Sequence, residues 1–128
     1  MSLKFLVVDD STVMRKVIIT ALQNKMDVLD ENILQASDGV EAVDMATTQE
    51  GISVILMDWN MPNKLGIDAV RDIRAEGIKT PIIMVTTEGE KQNVVTAIQA
   101  GANNYVIKPF NADDLCAKID QALAALKA

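Results

Sequence analysis

Five times along its 128 residues the chain passes from a short apolar run into a segment with helical hydrophobic spacing. One run constrains the fold most: Val54-Ile55-Leu56-Met57 leads straight into Asp58, with Trp59-Asn60-Met61-Pro62 behind it. An uninterrupted apolar run of this length reads as a strand buried on both faces, as in parallel sheets covered by helices. The first run, Leu3 to Val8, also stops on acids, Asp9 and Asp10. Ile33 to Ala36 predicts a second strand, and Pro81 to Val85 a fourth that ends on Thr86-Thr87. Tyr105-Val106-Ile107 predicts a fifth, ending on Lys108-Pro109.

The segments between these runs carry helix signals. Ser11 is placed to N-cap a helix whose stripe is Met14, Val17, Ile18, Ala21 and Leu22. Asp38, with Glu41 three residues on, predicts a capping-box-like start to a second helix that buries Ala42, Val43 and Ala46. Ile67, Val70 and Ile73 give the inward face of a third, and Val94, Ala97 and Ile98 that of a fourth between Lys91 and Ala100. Asn111 caps a fifth with the stripe Leu115, Ile119, Ala122, Leu123 and Leu126. Gly51, Gly77 and Gly101 close units, whereas Asn24 to Asn32 offers no glycine stop. Strict alternation with short connections predicts an α/β fold: a five-stranded parallel sheet with helices on both faces and right-handed crossovers. Residues 1–128 are read as a single domain without an output domain, large enough to hold a core without disulfides or metal staples.

Composition then removes whole classes of chemistry. The chain has no histidine, which excludes Ser-His-Asp and Cys-His centres, imidazole zinc ligands and a phosphohistidine carrier. A net charge of −6 argues against nucleic acid or an anionic membrane as partner. Cys116 is alone, so no internal disulfide forms; it reads as a small residue packed on a helix, in keeping with a reducing cytoplasm. No apolar run approaches the roughly 20 residues of a membrane span, and no signal peptide opens the chain. The expectation is a cytoplasmic, monomeric protein whose chemistry falls to carboxylates, hydroxyls and lysine.

In a parallel α/β sheet all strand C-termini share one edge. That edge collects Asp9, Asp10, Asp58, Thr86 and Lys108 from four of the five strands. Crowded carboxylates resist ionising together unless a hard cation lies among them. An all-oxygen ligand set suits Mg²⁺. Lys108 and the Thr86 hydroxyl, or a backbone N–H, can then hold further oxygens of a transferring phosphoryl group, where positioning and charge neutralisation do most of the catalysis. A carboxylate can itself be the nucleophile, and Asp58, central among these groups, is the candidate. Trp59, the only tryptophan and beside that acid on a loop, is expected to be partly exposed.

Several stretches carry a family resemblance: Val8-Asp9-Asp10-Ser11, Asp38-Gly39, Met57-Asp58-Trp59-Asn60-Met61-Pro62, Met84-Val85-Thr86, Ala100-Gly101-Ala102 and Tyr105-Val106-Ile107-Lys108-Pro109-Phe110. In this order and at these spacings the sequence resembles the receiver domains of two-component response regulators over nearly its whole length. Asp58-Trp59-Asn60, with Glu88 two residues past Thr86, is most similar to the stand-alone chemotaxis regulators of that family. The resemblance implies the strand order 2-1-3-4-5. It also implies a Mg²⁺-dependent switch phosphorylated on Asp58 by a histidine kinase. Asp9, Asp10, Asp58 and the Asn60 backbone carbonyl would be the metal ligands. Lys108 would contact the phosphoryl group, with a cis peptide to Pro109; Thr86 would move towards it and Tyr105 turn inward. The surface of the fourth helix, fifth strand and fifth helix would bind a partner such as the flagellar motor switch, and a phosphatase would be a further partner. Such a protein is no enzyme beyond its own phosphoryl acceptance and autodephosphorylation.

Three positions depart from the family pattern: Leu65 where an acid usually precedes Gly66, Thr87 where a small residue is typical, and the longer Asn24–Asn32 connection. Competing functions are a stand-alone phosphorelay intermediate, a Mg²⁺-dependent aspartyl-phosphate phosphatase, and an FMN carrier. Against the phosphatase, Asp9 and Asp10 are adjacent where haloacid-dehalogenase-like enzymes separate nucleophile and acid–base Asp by two, and no cap domain closes over a substrate. Against the FMN carrier, two acids stand where a phosphate-cradling loop needs glycines, hydroxyls and N–H groups.

Overall fold

The computed structural model describes the backbone of residues 3–127 and the side chains of residues 3–125. Five strands, β1 (Phe5–Val8), β2 (Ile33–Ala36), β3 (Val54–Met57), β4 (Ile82–Thr86) and β5 (Asn104–Ile107), alternate with five helices. The helices are α1 (Thr12–Met26), α2 (Gly39–Thr48), α3 (Gly66–Ala75), α4 (Lys91–Ala100) and α5 (Ala112–Lys127). All strand pairs are parallel, in the order β2-β1-β3-β4-β5. None of the described helices is long and apolar enough to cross a membrane.

Period-two alternation divides the sheet between two cores. Phe5, Val7, Val54, Leu56, Ile83, Val85 and Val106 face one way and pack with Ile18, Ala21 and Leu22 of α1 and Leu115, Ile119 and Ala122 of α5. Leu6, Val8, Ile55, Met57, Ile82, Met84 and Tyr105 face the other way, against α2, α3 and Ala97 of α4. Cys116 is buried on α5, and burial, ahead of the charges of Asp120 and Asp113, pushes its thiol pKa up.

Helix starts follow the sequence closely. Ser11 Oγ accepts the Met14 N–H at 3.2 Å, and Asn111 Oδ1 accepts that of Asp114 at 2.7 Å. Asp38 caps α2 through the Glu41 N–H at 2.8 Å, but the returning Glu41 carboxylate lands one residue early, on the Ser37 N–H (3.3 Å) and hydroxyl (2.6 Å). The exit from α1, undefined in the sequence, is made by Asp27 in a left-handed conformation (φ 53°), and a 3₁₀ turn over Asp30–Asn32 leads into β2.

Two stripe residues are not inward. Val17 is 47% exposed and Ile98 46% exposed. The buried arc of α1 centres on Ile18, Ala21 and Leu22, leaving Val17 at its margin. In α4 the only fully buried side chain is Ala97, with Asn93, Val94 and Ala100 partly covered beside it. Ile98, one residue beyond Ala97, therefore points about 100° away. Met14, Val43 and Leu123 are only partly buried. The Leu126 side chain, predicted in the α5 stripe, lies outside the described residues.

Candidate functional site

Strand register assembles the site. Val8 pairs with Met57 across β1 and β3, so the next residues, Asp9 and Asp58, emerge side by side. Backbone pairing continues one step beyond the strands: the Asp58 N–H donates to the Val8 carbonyl (3.0 Å), Asp9 to Ala36 (3.1 Å) and Lys108 to Thr86 (2.8 Å). Asp9, Asp58 and Lys108 are thus each fixed by a ladder bond at their own residue.

Asp9 and Asp58 are buried, at 1% and 7% exposure, whereas Asp10 stands in solvent. One carboxylate oxygen from each of the three lies within 4.8 Å of the others. Lys108 Nζ sits 2.7 Å from Asp9 Oδ2 and 3.5 Å from Asp58 Oδ2. Burial, and next the charge of Asp9, raise the Asp58 pKa; the Lys108 charge, the Trp59 N–H and the Thr86 hydroxyl act in the opposite direction. The Trp59 N–H bond to Asp58 Oδ1 measures 2.8 Å. Three carboxylates against one ammonium leave two negative charges in excess. That donor set, all oxygen and short of positive charge, fits a hard divalent cation.

The remaining predicted residues surround this cluster. Thr86 is fully buried, and its Oγ1 accepts the Glu88 N–H at 3.2 Å. Tyr105 is buried, its hydroxyl donating to the Glu88 carbonyl; burial, then the charges of Glu88 and Asp58, push its pKa up to about 12. Asn60 is exposed on the loop after β3, with Nδ2 2.5 Å from Glu88 Oε1. Glu88 Oε2 in turn accepts from Asn93 of α4 at 3.4 Å. The Lys108–Pro109 peptide is cis, and Trp59 is half-buried. Leu65 stands at the N-cap of α3 with no side-chain hydrogen bond, as an apolar residue in that place must. Thr87 is exposed beside Thr86.

Two supports escaped sequence reasoning. Arg15 donates through Nη1 to the Asp9 carbonyl (2.5 Å) and through Nε to Gln35 Oε1 (2.9 Å), tying the Asp9–Asp10 turn to the sheet edge. Asn63 donates through Nδ2 to Asp38 Oδ2 at 2.7 Å, linking the loop beyond Asp58 to the start of α2. Neither lies at a strand end, and the bonds to Gln35 and Asp38 join residues distant in sequence. Only the left-handed conformation of Asn63 (φ 68°), which Asn favours, was foreshadowed by residue type.

Residues 5–120 match the family model of the response regulator receiver domain. The chain is 45% identical over 123 residues to a chemotaxis protein CheY homolog of Campylobacter jejuni, covering 94% of this chain and 92% of the relative. It is 43% identical over 123 residues to the chemotaxis protein CheY1 of Helicobacter pylori, covering 94% and 97%. Among solved structures, the receiver domain of a Francisella response regulator superposes with a TM-score of 0.87 at 27% identity, over 98% of this chain and 99% of that one. The receiver domain of a Pseudomonas aeruginosa sensor histidine kinase, with magnesium coordinated in its active site cleft, gives 0.84 at 30% identity, over 97% and 99%.

Proposed function

Because the chain belongs to the response regulator receiver family, as a CheY-like chemotaxis regulator, we propose that it is a switch thrown by phosphorylation of Asp58. The observation that carries this reading is the cluster of Asp9, Asp10 and Asp58 within 4.8 Å, with Lys108 Nζ 2.7 Å from Asp9 and 3.5 Å from Asp58. Asp9, Asp10, Asp58 and the Asn60 carbonyl would hold Mg²⁺, as the clustered oxygens and the magnesium-bearing relative both suggest. When bound, the ion supplies charge neutralisation for the carboxylates and for the incoming phosphoryl oxygens.

The chain's own residues do the rest. A carboxylate oxygen of Asp58 forms the new P–O bond as the P–N bond of a histidine kinase's phosphohistidine breaks, and the departing imidazole takes a proton from solvent. Lys108 releases part of its hold on Asp9 to meet a phosphoryl oxygen, keeping the excess charge compensated. The buried Thr86 hydroxyl, one ladder position from Lys108, receives another oxygen by rotating from the Glu88 N–H. Tyr105 and Glu88 pass that movement to α4 through the Asn93 contact. Autodephosphorylation is attack by water on the same phosphorus, in the same cleft.

The output surface is the one formed by α4, β5 and α5. Val95, Ile98 and Ile107 are exposed there, and Tyr105, Ile107, Phe110 and Lys118 line a shallow groove. Its partner is a flagellar motor switch protein, the phosphodonor a histidine kinase, and the compartment the cytoplasm.

The test follows Trp59 fluorescence and intact mass during addition of Mg²⁺ and then acetyl phosphate. Wild type gains one phosphoryl group and changes fluorescence at both steps; Asp58→Asn gains no mass. A mutant that labels as wild type does would refute the assignment of Asp58. Pull-down of motor switch protein only after phosphorylation separates the chemotaxis role from a phosphorelay, in which a histidine phosphotransfer domain is retained instead.

A further inference from the structure

The loop that carries Asn60 is closed at its base and pinned at its tip. At the base, the Gly66 N–H donates to the Trp59 carbonyl at 2.8 Å. A Cβ on Gly66 would fall 1.8 Å from the Asp58 carbonyl oxygen, so α3 starts flush against the backbone of Asp58. At the tip, the Lys64 N–H donates to the Pro62 carbonyl at 2.7 Å, and Asn63 takes its left-handed conformation. The pin is the bond from Asn63 Nδ2 to Asp38 Oδ2, 2.7 Å long and directed at a carboxylate that is 7% exposed. Backbone packing agrees, since a Cβ on Gly39 would lie 2.5 Å from the Lys64 carbonyl oxygen.

We propose that the Asp38–Asn63 bond is a positioning device: it anchors the Asp58–Gly66 loop to the start of α2 and so holds the Asn60 carbonyl where it completes the oxygen set of Asp9, Asp10 and Asp58. The inference rests on the metal site proposed above and assigns the residues that set its affinity. The two ends of the bond are unequal. Asp38 keeps its place through the Glu41 N–H even when Asn63 is lost. Among the described residues the Asn63 side chain has no second tie, and the loop's other side-chain bonds, Asn60 to Glu88 and Lys64 to Asp72, do not reach α2. Cutting the Asn63 bond therefore frees the loop from α2 and leaves α2 capped. Among the described residues neither partner hydrogen-bonds to Asp9, Asp10 or Asp58, so any effect on the metal reaches it through the loop. A loop left mobile in the free protein must be ordered on binding, and affinity falls accordingly.

The experiment is Mg²⁺ titration of the full chain by calorimetry, with Trp59 fluorescence alongside. Asn63→Gly keeps the left-handed backbone and deletes the bond; it is expected to weaken Mg²⁺ binding about tenfold with the melting temperature little changed. Asn63→Asp adds negative charge near the site but sets it against Asp38. It weakens binding if the bond matters and strengthens it if local charge alone counts. The exchange Asp38→Asn with Asn63→Asp restores the bond with donor and acceptor reversed, and is expected to recover affinity to within about threefold of wild type. Wild-type affinity in Asn63→Gly, tighter binding by Asn63→Asp, or no recovery in the exchange would each overturn the positioning role. Absence of Mg²⁺ binding by the wild type would instead remove the metal site itself.

Discussion

At the carboxyl edge of the sheet a lysine is enclosed by carboxylates; at the amino edge an arginine is enclosed by neutral oxygens. Arg74, near the end of α3, donates Nε to the Gly101 carbonyl (3.0 Å), Nη1 to the Ile78 and Thr80 carbonyls (2.8 Å each) and Nη2 to Asn103 Oδ1 (2.9 Å). Asn103 Oδ1 also accepts the Ile82 N–H at 2.8 Å, so one guanidinium joins α3, the entrance to β4 and the turn before β5. Burial lowers the Arg74 pKa, and no anion offsets it. Lys108 has the converse setting, with two carboxylates in reach and a third beside them. Arg74 commits four of its five N–H groups to fixed neutral oxygens; the Lys108 cluster leaves two negative charges uncompensated. A satisfied buried charge fastens structure, whereas an unsatisfied one is held ready for something that comes and goes.

This contrast breaks first at Arg74. Arg74→Met strips the Gly101, Ile78 and Thr80 carbonyls of this donor, leaves Asn103 Oδ1 with the Ile82 N–H alone, and is expected to lower unfolding free energy by about 3 kcal/mol, read by urea denaturation. A loss under about 0.5 kcal/mol would mean that water replaces the guanidinium and that the two edges do not differ as argued. Next in size is the effect of the missing positive charge at the other edge. Mg²⁺ at about a hundred times its dissociation constant should stabilise the folded chain by about 2.7 kcal/mol. The increment should be the same in Arg74→Met, because the two sites share no partner. Unequal increments would show that the edges are coupled.

Removal of a site carboxylate should act with the opposite sign to removal of Arg74. Asp58→Asn relieves burial of a charge beside Asp9, and without Mg²⁺ it is expected to raise stability by about 1 kcal/mol. With Mg²⁺ saturating, the variant should lose that advantage, because a ligand has gone. If Asp58→Asn destabilises the metal-free protein, the excess charge is not a strain.

Most of this edge was legible in the sequence because strands end where apolar runs end, and a parallel sheet brings all those ends together. Asp9, Asp58, Thr86 and Lys108 needed no more than that. The placement of Asn60 and Tyr105 came from family resemblance, since neither a loop carbonyl nor a strand aromatic announces a role by its spacing. Asn63 and Arg15 were illegible for a different reason. Each depends on a bond to a residue at least 20 positions away, Asn63 on Asp38 and Arg15, which also reaches the nearby Asp9 carbonyl, on Gln35, and periodicity carries no information at that range. Val17 and Ile98 were misplaced because an apolar side chain at helical spacing defines a stripe but not its margin. The narrow contact of α4 with the sheet, through Ala97, depends on how the helix is rotated.

The smallest effect separates two carboxylates on the same edge. The Glu41 N–H, followed by the Asn63 amide, holds Asp38 below its ordinary pKa of 3.8, against a desolvation that raises it. Asp58 is shifted the other way. A depressed folded-state pKa contributes stability that is complete above the unfolded value and is lost as pH falls through the folded one. A raised pKa contributes stability that is complete below the unfolded value and is lost as pH rises through the folded one. Asp38 and Asp58 should therefore give opposite slopes to metal-free stability, Asp38 below pH 3.8 and Asp58 above it. Urea denaturation across the acid range, compared among wild type, Asp38→Asn and Asp58→Asn, reads each slope by its disappearance. Asp38→Asn should flatten the loss of stability at the acid end, the smallest of these effects. Asp58→Asn should remove the decline on the other side. If both variants flatten the same limb, the two carboxylates are alike, and the line between fastening charge and waiting charge does not run through this edge of the sheet.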